Sequence, residues 1–199
     1  MTALVFFTSP AYSQQDLGIE FTAEERQWLS KKTPIKLAFD GYFPPYSFLN
    51  DDQELEGFSV DLFNLIRRKT GLNFKVHPQY KWDEILAAGK IQQTDVVATM
   101  VKNDERSTWF NFTQPYVFKS LVITSREDDS RINEKSDIKG KTVALVKGYQ
   151  YANEIVQQFP SIKPLYYETI LDTLNAVSVG DADAAITFFG AGHYLRNKY

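Results

Sequence analysis

Apolar and polar positions along the chain fall into two matching series. Ile35, Leu37 and Phe39 alternate with polar neighbours, the two-residue period of a strand. Phe58, Leu62, Leu65 and Ile66 then recur at helical spacing. Asp61 stands in the first turn of that helix, Arg67, Arg68 and Lys69 in the last, and Gly71 just beyond, as the helix dipole and a left-handed cap favour. Asn73 to His77 predicts a strand, Trp82, Ile85 and Leu86 a short helix ending near Gly89, and Asp95 to Met100 a buried strand. After a gap the order returns. Thr142 to Val146 predicts a strand, and Tyr151, Ile155 and Phe159 share a helical face that Pro160 ends. Lys163 to Tyr167 predicts a strand, Ile170, Leu174 and Val177 a helix from Thr169 to Gly180, and Asp183 to Thr187 a closing strand. Two βαβαβ series imply an α/β protein of two open, mostly parallel sheets covered by helices.

The remaining segments are punctuation. Thr22-Ala23-Glu24-Glu25 is a capping box and predicts a helix to about Leu29, before the main body begins at Thr33-Pro34. Phe112 to Ile123 is rich in β-formers and predicts an extended crossover between the series, and Arg126 to Asp137 predicts a surface loop. The boundaries that follow are an arm with its helix over residues 14–32, a first lobe over 33–117, and a hinge strand with a second lobe over 118–199. At the start, Leu4 to Phe7 is a short apolar run, and Ala11 and Ser13 suit a signal-peptidase cut before Gln14. Residues 1–13 therefore read as the remnant of an export signal.

Composition narrows the chemistry. With 43% apolar and 24% charged residues, the chain has the balance of a folded globular protein. A net charge of -3 argues against a nucleic-acid backbone as partner. No cysteine is present, which excludes disulfides and thiolate chemistry. The two histidines, His77 and His193, are not in metal-ligand spacing, so no metal and no cofactor is assigned.

Ligands of open α/β sheets bind beyond the carboxyl ends of the strands. That rule selects Asp40 to Phe48, Thr99 to Arg106, Lys147 to Gln150 and Phe188 to Gly190, all able to face one cleft between two hinged lobes. In the first segment Asp40, Tyr42 and Tyr46 are candidates, on a loop stiffened by Pro44 and Pro45. In the second, Thr99, Val101 and Arg106 are candidates, with the Arg106 guanidinium suited to clamping a carboxylate through two parallel hydrogen bonds. The third offers Lys147, Gly148, Tyr149 and Gln150, where a glycine before a helix N-terminus exposes N–H groups to an anion. Thr169, whose N-cap role also accounts for it, and Phe188 complete the set.

The chain resembles the extracellular solute-binding proteins of family 3, which have the type 2 periplasmic-binding-protein fold. The likeness runs from about Phe21 to the C-terminus. It rests on the ordered motifs Phe43-Pro44-Pro45-Tyr46-Ser47-Phe48, Gly57-Phe58-Ser59-Val60-Asp61-Leu62, Asp104-Glu105-Arg106, Phe112-Thr113-Gln114-Pro115-Tyr116, Gly140-Lys141-Thr142-Val143-Ala144 and Gly180-Asp181-Ala182-Asp183-Ala184. The lead-in Phe21 to Leu29 and the run Val146-Lys147-Gly148-Tyr149 are similar to the Venus-flytrap sensor domains of membrane-bound hybrid histidine kinases and some diguanylate cyclases. The resemblance implies that Arg106 is the carboxylate-binding arginine and that Tyr42 and Tyr46 are pocket aromatics. It also implies three departures. Phe188 stands where amino-acid binders place the acid that holds the ligand's ammonium, Val101 or Asn103 replaces a hydroxyl residue, and the return of the chain to the first lobe is missing.

The functional expectation is a periplasmic module that closes on a small carboxylate ligand and reports to a membrane signalling domain. The alternative partner is an ABC permease fed by a free binding protein. A dehydratase-type enzyme is the less favoured reading, because Asp40, Glu105 and Glu168 are the cleft-side acids and none has a recognisable catalytic partner. No catalytic residue is assigned. A ligand-free degenerate module is the remaining reading, favoured by Phe188 and the missing return.

Overall fold

The computed structural model describes residues 19–199. The export-signal remnant expected over residues 1–13 lies outside them. The first helix, α1 (Ala23–Ser30), is closed by the expected box: Thr22 Oγ1 accepts from the Glu25 amide at 3.2 Å, and the Glu25 carboxylate accepts from the Thr22 amide at 2.7 Å.

The first lobe is a three-stranded parallel sheet, with β1 (Ile35–Ala38) between β5 (Phe74–Val76) and β6 (Val96–Val97). Its helices are α2 (Phe58–Thr70), which ends on Gly71 in the left-handed region, and α3 (Trp82–Lys90). Leu37, Phe39 and Ala98 form its buried centre, with Phe63 edge-on to Phe39 at 5.7 Å. Leu37 and Phe39 each contribute roughly 1.5–3 kcal/mol by leaving water. The expected buried strand Asp95 to Met100 shrinks to two half-buried valines. It pairs with β1 alone among the described residues, and Thr99 turns the chain with φ +63°.

The second lobe repeats this topology. β8 (Thr142–Val146) lies between β9 (Lys163–Tyr167) and β10 (Ala184–Phe188), all parallel, as β1 lies between β5 and β6. The repeat follows from the matching hydrophobic series, since a right-handed crossover places each second strand on the same side of the first. An antiparallel strand, β7 (Leu121–Ser125), extends the sheet beside β10. Helices α5 (Gln150–Gln158) and α6 (Ile170–Val179) cover it, and α7 (Phe189–Lys198) continues directly from β10. The expected crossover strand from Phe112 to Ile123 forms a ladder only from Leu121. Pro115 lacks an N–H, and among the described residues no strand pairs with the rest.

One element escaped the sequence pattern. Tyr42–Phe43, Ser47–Leu49 and Leu55–Glu56 form a small antiparallel sheet, β2-β3-β4, where an irregular aromatic loop was expected. Gly57 lets the chain leave it at φ +120°, where an added Cβ would sit 2.6 Å from the Tyr46 carbonyl. The first amides of α2 then donate to the loop: Phe58 N–H to Pro45 at 3.0 Å and Ser59 N–H to Tyr46 at 2.8 Å. These bonds satisfy donors that a helix start leaves free, and they fix the loop to the lobe.

Candidate functional site

Between the lobes the strand ends converge on a small cavity of about 20 Å³, room for about one water. Asp40, Phe43, Trp82, Thr99, Val101, Arg106, Lys119, Tyr149, Gln150 and Phe188 line it. Seven of the expected residues are therefore brought together: Asp40, Thr99, Val101, Arg106, Tyr149, Gln150 and Phe188.

Arg106 sits on a short helix, α4 (Asp104–Ser107), whose cap is Asn103 accepting from the Arg106 amide at 2.7 Å. The same Asn103 side chain donates to Gln150 in the second lobe. The guanidinium is buried and lies 5.2 Å from the Trp82 ring. It donates to the Val101 carbonyl at 2.8 Å and, across the cleft, to the Gly148 carbonyl at 3.1 Å. Trp82 Nε1 donates to that carbonyl as well, at 3.0 Å. Burial lowers the arginine's pKa from its ordinary value. With φ +73°, Gly148 offers its carbonyl to two lobe-one donors.

A second bridge joins the lobes. Asp40 is 2% exposed, and its carboxylate accepts from the Tyr149 hydroxyl at 2.6 Å and from the Tyr42 amide at 2.9 Å. Burial pushes its pKa up to about 6, against the lowering effects of both hydrogen bonds and of Lys119. Lys119, in the crossover segment, points its ammonium at three rings: Phe43 at 4.5 Å, Phe188 at 4.8 Å and Tyr46 at 5.2 Å. Burial brings its pKa down to about 8, with Asp40 opposing and Arg106 reinforcing the shift. Around these charges Phe43, Trp82, Tyr149, Tyr151 and Phe188 pack ring to ring at 5.2–6.0 Å, so one aromatic core spans both lobes.

Thr99 is held in its positive-φ conformation from outside the cavity. Its amide donates to the Tyr116 hydroxyl at 3.0 Å, and its own hydroxyl lies 2.8 Å from Ser59 Oγ. A β-branched residue there costs about 1–3 kcal/mol, so these contacts offset strain at the cleft.

Five expected residues lie off the cavity lining. Tyr42 is 40% exposed, because the β2–β3 register pairs it with Phe48 and leaves Phe43 to face inward. Lys147 is exposed and pairs with Glu168 at 3.6 Å. Thr169 caps α6, accepting from the Asp172 amide at 3.1 Å. Tyr46 stands behind Phe43, 4.9 Å away, as a wall for Lys119. Gly148 reaches the site through its carbonyl alone. Sequence reasoning missed Phe43, Trp82 and Lys119. Phe43 stood in the quoted aromatic loop, whereas Trp82 read as helix core and Lys119 carried no signal. Among the described residues no cluster of three His, Asp or Glu could hold a metal ion, and no helix is long and apolar enough to cross a membrane.

The pattern for bacterial extracellular solute-binding proteins, family 3, matches residues 35–188. The chain belongs to that family. Among its relatives, the virulence sensor protein BvgS of Bordetella pertussis (strain Tohama I) is 26% identical over 193 residues, which are 97% of this chain and 15% of BvgS. This family 3 chain thus spans under a sixth of that relative. The L-cystine-binding protein TcyJ of Escherichia coli (strain K12) is 26% identical, covering 79% of this chain and 60% of TcyJ. The crystal structure of the B. pertussis BvgS periplasmic VFT2 domain superposes with a TM-score of 0.80 at 25% identity, over 90% of this chain and 77% of that one. Arginine-bound ArgBP of T. maritima, in a truncated form, gives a TM-score of 0.75 at 26% identity, over 87% and 81%. The two-lobed architecture is that of these binding and sensor domains.

Proposed function

We propose that this domain is the periplasmic ligand-sensing module of a membrane signalling protein, in which a small carboxylate bound between the lobes changes how they close. The single observation that carries the reading is the buried Arg106, whose guanidinium reaches from one lobe to the Gly148 carbonyl of the other. A ligand carboxylate would take the place of that carbonyl and accept two parallel hydrogen bonds from the fork. The exchange gives the ligand unequal affinity for the two lobe arrangements, which is what a switch requires. The extent of the BvgS match, which runs through the α1 lead-in as well as both lobes, supports a sensor over a free carrier.

Binding rather than turnover fits the acids. Both Asp40 oxygens are engaged by Tyr149 and Tyr42, Glu105 lies 3.5 Å from Lys90, and Glu168 pairs with Lys147 at the surface. A second reading, a free binding protein that feeds a permease, draws on the TcyJ match. Gene context separates them: a membrane span encoded downstream supports the sensor, and a stop codon close after the second lobe supports the carrier.

The test is a thermal-shift screen of the chain against amino acids, dicarboxylates and aromatic acids. A ligand raises the melting temperature by mass action, and Arg106→Ala abolishes the rise. A rise that persists undiminished in Arg106→Ala would sink the assignment.

A further inference from the structure

Lys119 is the cleft residue that neither the binding reading nor the fold requires. Its ammonium stands in a box of three rings, Phe43, Phe188 and Tyr46, with centroids 4.5–5.2 Å away. Among the described residues it makes no hydrogen bond or salt bridge within reach. Two of the rings are phenylalanines, which offer a cation only their π-faces. Such a box is the usual receptor for a ligand's ammonium, and here the chain's own side chain fills it.

The other charges reinforce the point. The cavity holds two cations, Arg106 and Lys119, and one carboxylate, Asp40. Both Asp40 oxygens already accept hydrogen bonds, from Tyr149 and Tyr42. An incoming ammonium would find one acid, already hydrogen-bonded at both oxygens, and would stand beside two positive charges. An incoming carboxylate would meet both cations and leave the cleft neutral. The remaining wall is mostly apolar, with Phe43, Trp82, Val101, Tyr149 and Phe188 beside the polar Thr99 and Gln150, which suits a largely apolar body.

We infer that this pocket selects a monocarboxylate with a compact apolar body and no ammonium group, because Lys119 occupies the ammonium subsite. The inference rests on the binding reading above and specifies its ligand class. An α-amino acid then binds only by expelling Lys119 from its rings. Once the lobes part to enlarge the one-water cavity, the deaminated acid of the same shape gains the Lys119 charge without having to expel it.

Calorimetric titration of the chain with three matched pairs tests this: 3-phenylpropanoate and L-phenylalanine, 4-methylpentanoate and L-leucine, propanoate and L-alanine. At least one acid should bind tenfold or more tightly than its amino acid. Lys119→Met, which keeps the stem in the box without its charge, should weaken the acid at least fivefold and narrow the gap within the pair. Lys119→Ala, which empties the box, should improve the amino acid relative to the acid. An amino acid binding as tightly as its deaminated partner overturns the inference and leaves the binding reading standing. Silence from all six probes also overturns it, and the binding reading then rests on the wider thermal screen.

Discussion

Tyr149 donates a 2.6 Å hydrogen bond to the carboxylate of Asp40 from 109 residues away in sequence, and both groups are buried. The bond joins the end of the first lobe's central strand to the loop after the second lobe's central strand, so topologically equivalent positions meet. Together with Arg106 and Trp82 on the Gly148 carbonyl, it holds the lobes against each other through the chain's own groups.

Replacing Tyr149 by Phe keeps the ring and removes the donor. Asp40 then loses one of two hydrogen bonds while staying buried, and its pKa rises further. The expected cost is about 1–3 kcal/mol in urea unfolding near neutral pH. Unchanged stability would show that the bond does not hold the lobes together.

Stability should fall as pH rises from about 4 to about 6. Asp40 has a folded pKa raised to about 6 by burial, so the folded state binds more protons than the unfolded chain across that window. The loss is on the order of 3 kcal/mol for this group. Lys119 acts in the opposite sense. Its folded pKa is lowered to about 8, so its contribution grows as pH rises from about 8 toward 10.5. Asp40→Asn should flatten the acid limb of the unfolding profile and start the alkaline limb at lower pH, because Lys119 loses the charge that opposes its shift, and Lys119→Met should flatten the alkaline limb and carry the acid limb to higher pH for the same reason.

Arg106→Lys retains charge but not the planar fork. A single ammonium at the end of a flexible stem cannot reproduce donation to both Val101 and Gly148 with the Trp82 face alongside. Small-angle scattering should show a larger radius of gyration for the ligand-free variant than for the parent. Losing one charged hydrogen bond costs about 1.5–3 kcal/mol, enough to shift a two-state closure by tenfold or more. Identical scattering would mean that the closed arrangement does not depend on the fork.

Trp82 is 9% exposed, whereas Trp28 and Trp109 are 48% and 57% exposed. The blue-shifted component of the fluorescence should therefore belong to Trp82. A ligand that displaces the Gly148 carbonyl should change that component, and Trp82→Phe should remove it. A full response in the Phe variant would place the change elsewhere.

Gly57 and Gly71 both have positive φ, but only Gly57 has crowded space. A Cβ there would meet the Tyr46 and Pro45 carbonyls at 2.6 and 2.8 Å, while Gly71 has nothing within 4 Å. Gly57→Ala should cost about 3 kcal/mol or more and loosen the Phe43 loop, and Gly71→Ala about 1 kcal/mol. Equal losses in thermal melts would contradict the packing account.

Local chemistry made much of the fold legible. The Thr22–Glu25 box, the left-handed caps at Gly71 and Gly180, and two matching hydrophobic series are decided by neighbouring residues, and each appears where the pattern puts it. Arg106 was legible as a cleft residue because strand-end geometry follows from the order of elements. What the pattern could not give was side-chain direction. In the β2–β3 hairpin a register of Tyr42 against Phe48 turns Phe43 inward and Tyr42 outward, and a one-residue slip would reverse them. Lys119 was invisible for a related reason, since the rings that hold it come from residues 43, 46 and 188. Burial of a charge among such distant partners is a property of the packed lobes alone. Sequence determined the elements and their order through short-range hydrogen bonding and periodicity. Tertiary structure decided which groups face the cleft, because desolvation and contact depend on chain segments far apart.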